Sequence, residues 1–361
     1  MQIIQDRRPL HRIPELELCL PKTMAYLKTS LEGLGCQVFS PAPSSLCAYF
    51  DFGKPDAIAF RADCDALPVV ERAEHDFVST HPGKMHACGH DGHMAILLEL
   101  ARRLDRKESL PHNVLLIFQP GEESPGGALP ICQSGVLDQY GVKAVFGLHL
   151  WPALEKGRVF TRKNEMMARA SEVNVDIRGK SAHLARAQEG INAMAAAVQL
   201  HSQVAEAEAG YPDSVYRMLK FGKFQSGTAR NAVADFARLE GSLRAFQDEV
   251  FEDLRNQLYA IGRKAEADFG CTVSITLSEG YPAVMNPPEL VEQLRQVADF
   301  DELEDPCMTA EDFSWYQRYC SGVFFFLGLG DSPSLHSDHF NFDEEILATG
   351  ADFFENLAEK F

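Results

Sequence analysis

SEVNVDI, residues 171–177, alternates apolar and polar side chains with period two, and it opens the run whose order decides the fold. Helix-like INAMAAAVQLHSQVAEA (191–207) follows, then strand-like YRMLKF (216–221) and ADFARLEGSLRAF (234–246), the helical DEVFEDLRNQLYAIGRKAEADF (248–269), and strand-like TVSITLS (272–278). The order β-α-β-β-α-β predicts a four-stranded antiparallel sheet with two helices on one face over residues 170–280. A segment of about 110 residues suits a compact domain.

Both flanks of this run follow a different grammar. Upstream, Lys22 to Leu34 places Met24, Leu27, Leu31 and Leu34 at helical spacing, while Ala57–Phe60, Val114–Phe118 and Val145–Leu150 read as short buried strands. His93 to Leu104, with Met94, Leu97, Leu98 and Leu104, suits a core-facing helix. Downstream, the prolines of YPAVMNPPEL (281–290) mark a boundary. A further helix, the buried strand GVFFFLGLG (322–330) and a last helix in DEEILATGADFFENLAEKF (343–361) complete the pattern. The reading is an α/β domain over 1–169 and 281–361, interrupted by a ferredoxin-like insertion at 170–280. The length of 361 residues supports two domains.

Composition narrows the function. A net charge of −18, dispersed along the chain, is repelled by phosphate backbones and anionic lipid, so neither nucleic acid nor membrane is an expected partner. Nine cysteines, an odd number without dense regular spacing, favour reduced thiols in a cytoplasm. MQIIQDRRPLHRIPEL (1–16) lacks an apolar signal core, and no run approaches the ~18 apolar residues of a membrane span.

The densest chemical signal is HACGHDGH, residues 86–93: three histidines, Cys88 and Asp91 just before a predicted helix. Thiolate, neutral imidazole and carboxylate are the donors of zinc-like ions. Any one of these residues alone more often packs or hydrogen-bonds. Other donors, however, recur after predicted strands: Glu122 and Glu123 in QPGEES behind VLLIF, His149 at the end of AVFGLHL, and His336 in LHSDHFNFDEE. In an open α/β sheet, ligands gather at the carboxyl ends of the strands. Cys88, His90, Glu123, His149 and His336 are too few for two closed structural sites and suit two ions with open positions. Adjacent Glu122 and Glu123 permit one carboxylate to bind metal while its neighbour moves a proton.

RRPLHRIPELE (7–17), FRADCDALPVVE (60–71), GKMHACGHDGHMA (83–95), IFQPGEESPGGA (117–128), GLHLWP (147–152), SGTARNAVAD (226–235) and MTAEDFSWY (308–316), in that order, resemble the binuclear metallopeptidase family of aminoacylases and carboxypeptidases. Within it they are most similar to the amidohydrolase branch of hippurate hydrolases, auxin-conjugate hydrolases and N-acetyldiaminopimelate deacetylases. The likeness covers nearly the whole chain, and LHRIPELE with GKMHACGHD is most like the diaminopimelate deacetylases.

By position, the resemblance implies that Cys88, His90, Glu123, His149 and His336 hold two divalent transition-metal ions, zinc, manganese, nickel or cobalt, with Cys88 as a bridging thiolate. Glu122 matches the general acid/base, and Asp65 a group that orients a ligand, while Asp63 reads equally as a loop acid or helix cap. In the insertion, His183 of GKSAH and Asn231 of SGTARN match residues that hold the scissile carbonyl oxygen. Arg244 of EGSLR matches one that receives a substrate carboxylate. Cys64 has no matching role. The chain departs from the pattern at Pro21, where relatives have an acidic residue, and after Arg162, where a glycine run is missing. In HSDHF, where relatives often place proline after the ligand, His336 and His339 compete for the last ligand position and the former is preferred. The expected protein is thus a cytoplasmic, homodimeric, metal-dependent amidohydrolase of N-acyl amino acids, with N-acetyl-diaminopimelate as first substrate and the insertion as lid and dimerisation domain.

Overall fold

Runs of β-branched and aromatic residues build the centre of the first unit. In the computed structural model, which describes residues 2–361, Ala57–Asp63, Asn113–Gln119, Val142–Trp151 and Ser321–Gly328 are parallel strands. Every residue of the first two is buried, as parallel strands covered on both faces require. They form the middle of an eight-stranded sheet ordered Gln37–Phe39, Leu46–Phe50, Asn113–Gln119, Ala57–Asp63, Val142–Trp151, Ser321–Gly328, Val159–Thr161, Asp301–Glu302. The register sets Asp63 opposite Gln119 and Phe326 opposite His149, so the carboxyl ends of these strands finish at one edge.

The helix His90–Leu104 begins three residues before the expected start. Gly89, at φ +87°, makes the turn into it, a conformation open to glycine without the penalty a side chain meets. Met94, Leu97, Leu98 and Leu104 are all buried, as expected, and the helix packs against Gln2–Arg12 and Leu347–Lys360. The helix expected over Lys22–Leu34 runs Pro21–Leu31. Pro21 stands at the start, where its missing N–H costs nothing, and the Glu15 carboxylate accepts the backbone N–H groups of Lys22 and Thr23 at 2.9 Å each. The sequence departure at Pro21 is therefore a helix start capped from outside the helix.

The second unit comprises Met167–Val284 and a short return, Cys307–Ala310. Its antiparallel sheet is ordered Thr272–Leu277, Arg169–Arg178, Phe236–Ala245, Arg217–Ser226. Val173, Val175 and Ile177 point to one face and bury against Leu200 and Val204 of helix Ala193–Ala209 and Leu254 and Leu258 of helix Asp248–Phe269. Asn192 caps the first helix by accepting from the Ala195 N–H at 3.2 Å, and Gly270 ends the second at φ +71°. The unit begins and ends a few residues outside 170–280. The return at 307–310 had no periodic signal, because it is held through its carbonyls: the Ala168 N–H is shared by those of Cys307 (3.1 Å) and Thr309 (2.9 Å), and Arg244 Nη1 donates to that of Met308. The nine cysteines are free thiols, and among the described residues no helix is long and apolar enough to cross a membrane.

Candidate metal centre

His90 is placed by the turn at Gly89 and locked by one hydrogen bond, from Nδ1–H to the Asp65 carbonyl at 2.8 Å. That bond fixes the tautomer and leaves a lone pair on Nε2, which is buried with no hydrogen-bond partner. His149 repeats the device: Nδ1–H donates to the Leu150 carbonyl at 2.7 Å, and Nε2 stands 3.4 Å from Cys88 Sγ. Cys88, Glu123 and His336 bring one donor atom each within 4.8 Å of one another, as do His90, Glu122 and Glu123. Glu123 Oε1 lies 3.1 Å from His336 Nε2. His336 holds a left-handed backbone, φ +66°, with its N–H on the Ala87 carbonyl at 2.8 Å, and so reaches Glu123 from its own loop. His339, its competitor, is exposed beside Asp338 and joins no cluster of donors among the described residues.

Asp63, His90, His93 and His149 also cluster within 4.8 Å, all buried. His93 differs from its neighbours because both ring nitrogens are spent: Nε2 accepts the Leu150 N–H at 2.9 Å, and Nδ1–H donates to Asp63 Oδ1 at 2.5 Å. It orients Asp63 rather than offering a lone pair. Asp63 is neither a loop acid nor a helix cap: it ends a strand, 1% exposed, and Oδ2 takes a second bond from Arg61 Nη1 at 2.7 Å. Asp65 presents its carboxylate to the backbone N–H groups of Glu122 (2.9 Å) and Glu123 (3.1 Å), which aims both acids.

The strand-embedded Arg61 is the hub that sequence reading missed. Its guanidinium also donates to Gln119 Oε1 (2.9 Å), Glu311 Oε1 (2.9 Å) and Asp312 Oδ1 (2.8 Å), all buried. Asp312 Oδ2 in turn accepts from Gln119 Nε2 and from the backbone of Gly127 and Ala128, pinning the loop that carries Glu122 and Glu123. A Cβ on Gly127 would meet the Pro120 carbonyl at 1.7 Å, so only glycine lets this loop close. The available signal was an arginine inside an apolar strand, with the acids of MTAEDFSWY.

The electrostatics describe a pocket built for cations. Burial raises the Glu122 carboxyl, and Glu311, Glu123 and Asp312 raise it further, so it holds a proton far more readily than an ordinary acid. Burial and the neighbouring Asp312 and Asp63 likewise bring Glu311 to about 8 against the pull of Arg61. Burial, then Glu123, Glu122 and Asp63, push the Cys88 thiol well up. Burial lowers His90, but Asp63, Asp65 and Glu123 outweigh it and raise the imidazole to about 10. Such a negative potential around a thiol, imidazoles with one free nitrogen and a carboxylate is what divalent cations relieve. His90 Nε2, buried without a hydrogen-bond partner, fits that occupant.

The sequence profile of peptidase family M20/M25/M40 matches residues 59–360. The chain belongs to that family. A Staphylococcus epidermidis protein named as an uncharacterized hydrolase is 35% identical over 370 positions, covering 98% of this chain and 97% of its own. The Bacillus subtilis YXEP protein, described as a dinuclear metal-binding peptidase of the M20 family, superimposes with a TM-score of 0.85 at 28% identity, over 99% of this chain and 96% of that one. An aminobenzoyl-glutamate utilization protein from Klebsiella pneumoniae shares the fold, with a TM-score of 0.68 at 21% identity, over 99% and 95% of the two chains. This M20 protein is thus a hydrolase with a buried cluster of metal donors.

In the second unit, the antiparallel bridge His183↔Ala232 and the hydrogen bond from the Leu184 N–H to the Asn231 carbonyl bring the His183 and Asn231 segments together. Both residues are exposed, and His183 Nδ1 accepts the Ala185 N–H at 3.2 Å. Arg244 is not with them. It is half-buried where Phe236–Ala245 ends, with Nε on Ser242 Oγ and Nη1 on the Met308 carbonyl.

Proposed function

We propose that this M20 hydrolase cleaves the amide bond of N-acyl amino acids, with N-acetyl-diaminopimelate as first substrate and hippurate-like aryl conjugates as second. The observation that carries the reading is the pair Glu122 and Glu123: adjacent acids aimed by one carboxylate, of which Glu123 sits among metal donors and Glu122 among acids that favour its protonated form. Cys88, His90, Glu123, His149 and His336 would hold two divalent ions of the zinc, manganese, nickel or cobalt class. When bound, such ions polarise a carbonyl and make water acidic near neutral pH. Glu122 takes the proton from the attacking water and returns it to the departing amine, a transfer that suits a carboxyl that holds a proton more readily than an ordinary acid. Asp65 keeps both glutamates in place during that exchange. His183 and Asn231 hold the carbonyl oxygen, and Arg244 receives the α-carboxylate in a two-pronged hydrogen bond.

A homodimer accompanies this reading. GKSAH leaves the sheet at Arg178, opposite Phe236, whereas Arg244 pairs with Ala170, eight residues along the same strand. At about 3.3 Å per residue the two ends are roughly 26 Å apart, more than an N-acyl amino acid spans. That separation supports a site that uses Arg244 of one subunit with His183 and Asn231 of a second copy. The exposed apolar residues Leu184, Met194, Val198 and Phe224, all in this unit, supply a surface for that pairing.

The test is kcat/KM of the metal-reconstituted protein on N-acetyl-diaminopimelate, simple N-acetyl amino acids and hippurate. Glu122→Gln is expected to lower turnover by a factor of about 10² or more while metal content is unchanged. Near-normal turnover would remove Glu122 from its role, and a preference for hippurate would remove the diaminopimelate assignment alone. A fully active monomer in light scattering at micromolar concentration would end the dimer reading.

A further inference from the structure

One residue beyond His90, Asp91 leads into a second buried cluster that the hydrolysis does not use. His11, Glu71 and His75 each offer one donor atom, and the three atoms lie within 4.8 Å of one another. Glu71 Oε1 is 3.0 Å from His11 Nε2 and 3.0 Å from His75 Nε2. Donor atoms at about 2.0–2.2 Å from a tetrahedral ion sit about 3.3 Å apart, close to this spacing.

Two observations point to an ion rather than to packing. Asp91 Oδ2 accepts His11 Nδ1–H at 2.8 Å and Arg7 Nε–H at 3.0 Å, which fixes the ring with Nε2 facing Glu71 Oε1 at 3.0 Å, where an ion would take the place of the Nε2 proton. A carboxylate that orients a metal-binding histidine in this way is a recurring feature of metal sites. The His75 side chain is only 7% exposed, yet neither ring nitrogen makes a hydrogen bond among the described residues. Its Nε2 approaches Glu71 without the alignment an N–H would need. His86 is a further buried imidazole with both nitrogens unpartnered, its ring centre 6.3 Å from that of His11.

We propose that His11, Glu71 and His75 form a third metal site for one divalent ion of the zinc class, which staples the N-terminal helix to the segment that follows Glu71. Two imidazoles and one carboxylate are donors that zinc accepts with a fourth position left over. The other Glu71 oxygen takes the Ser79 N–H at 2.6 Å, and the His75 ring stacks on Phe77 at 3.9 Å, so the ion gathers residues 71–79. Through Asp91 the same ion braces the helix that starts at His90. Binding releases the proton that His11 otherwise carries between Asp91 and Glu71. The site stands whether or not the hydrolysis reading does.

Apoprotein made by chelation, equilibrated with zinc and dialysed, is to be analysed for bound metal. Three zinc ions per wild-type chain are expected, two in His75→Gln or in His75→Leu, which keeps contact with Phe77, and three in the control His112→Gln. Zinc should raise the Tm of Cys88→Ser by several degrees and leave Cys88→Ser/His75→Leu unmoved. Two ions in the wild type, an unchanged count in both His75 variants, or equal Tm shifts with and without His75 would each overturn the proposal. Because the Tm comparison is made without Cys88, it stands apart from failure of the catalytic reading.

Discussion

At the carboxyl ends of the central strands, Asp63, Asp65, His93, Gln119 and Asp312 each spend their polar atoms on a named partner before any substrate arrives. In the second unit His183 and Asn231 are exposed, and Arg244 is half-buried with its guanidinium on a hydroxyl and a backbone carbonyl. Under the proposed function the contrast follows the work assigned to each place. Groups that move protons or hold ions gain from preorganisation in a dry pocket, where every dipole is already aimed. Groups that recognise a substrate complete their bonds only when it binds.

If the contrast is sound, Arg61→Met should damage stability most. It leaves Asp63, Glu311 and Asp312 buried around a missing cation, and breaking such a cluster typically costs about 3–5 kcal/mol. Urea unfolding of metal-free protein measures it, and a loss under about 1 kcal/mol would mean that the hub is not needed to hold the acids.

Next comes pH. Burial disfavours the His11 imidazolium, but Asp91 and Glu71 override this and raise it to about 9. A raised pKa stabilises the fold fully below the unfolded value of about 6.5, and the contribution disappears as pH climbs through about 9. Metal-free protein should therefore lose on the order of 3 kcal/mol across that window. His11→Gln should be less stable at pH 6, with the difference from wild type closing between pH 6.5 and 9. A difference that does not change across that window would refute the charged pairing.

Smaller still is Arg244→Ala, expected to weaken kcat/KM for carboxylate-bearing substrates by about 2 kcal/mol, the low end for a charge pair that is only half-buried. Equal effects on substrates with and without the carboxylate would cancel its role. His339→Ala should change stability by less than about 0.5 kcal/mol and leave metal content unaltered, as an exposed side chain away from the donors does. Loss of an ion in that variant would move the last ligand from His336.

Legibility tracked how local each signal was. Alternation in SEVNVDI and the spacing of Leu254 and Leu258 announced their elements because period two and period 3.6 are properties of neighbouring residues. The donors Cys88, His90, Glu123 and His149 were readable because thiol, imidazole and carboxylate side chains beside strand ends are chemically conspicuous. Arg61, Glu311 and Asp312 were not read as a unit, since about 250 residues separate partners that meet at 2.8–2.9 Å. His93 was indistinguishable from a ligand until the Leu150 N–H was found on its ring.

The sequence by itself determined the order of elements, the inserted antiparallel unit and the inventory of donors, because backbone periodicity and side-chain chemistry are written residue by residue. Only the tertiary structure decided which lone pairs remain free. His90 Nε2 stays without a partner, His149 Nε2 meets the Cys88 thiol, His93 spends both nitrogens, and His75 keeps its nitrogens buried without a bond. That outcome depends on which distant carbonyl, amide or carboxylate is carried to each ring, and the meeting is set by strand register and helix packing.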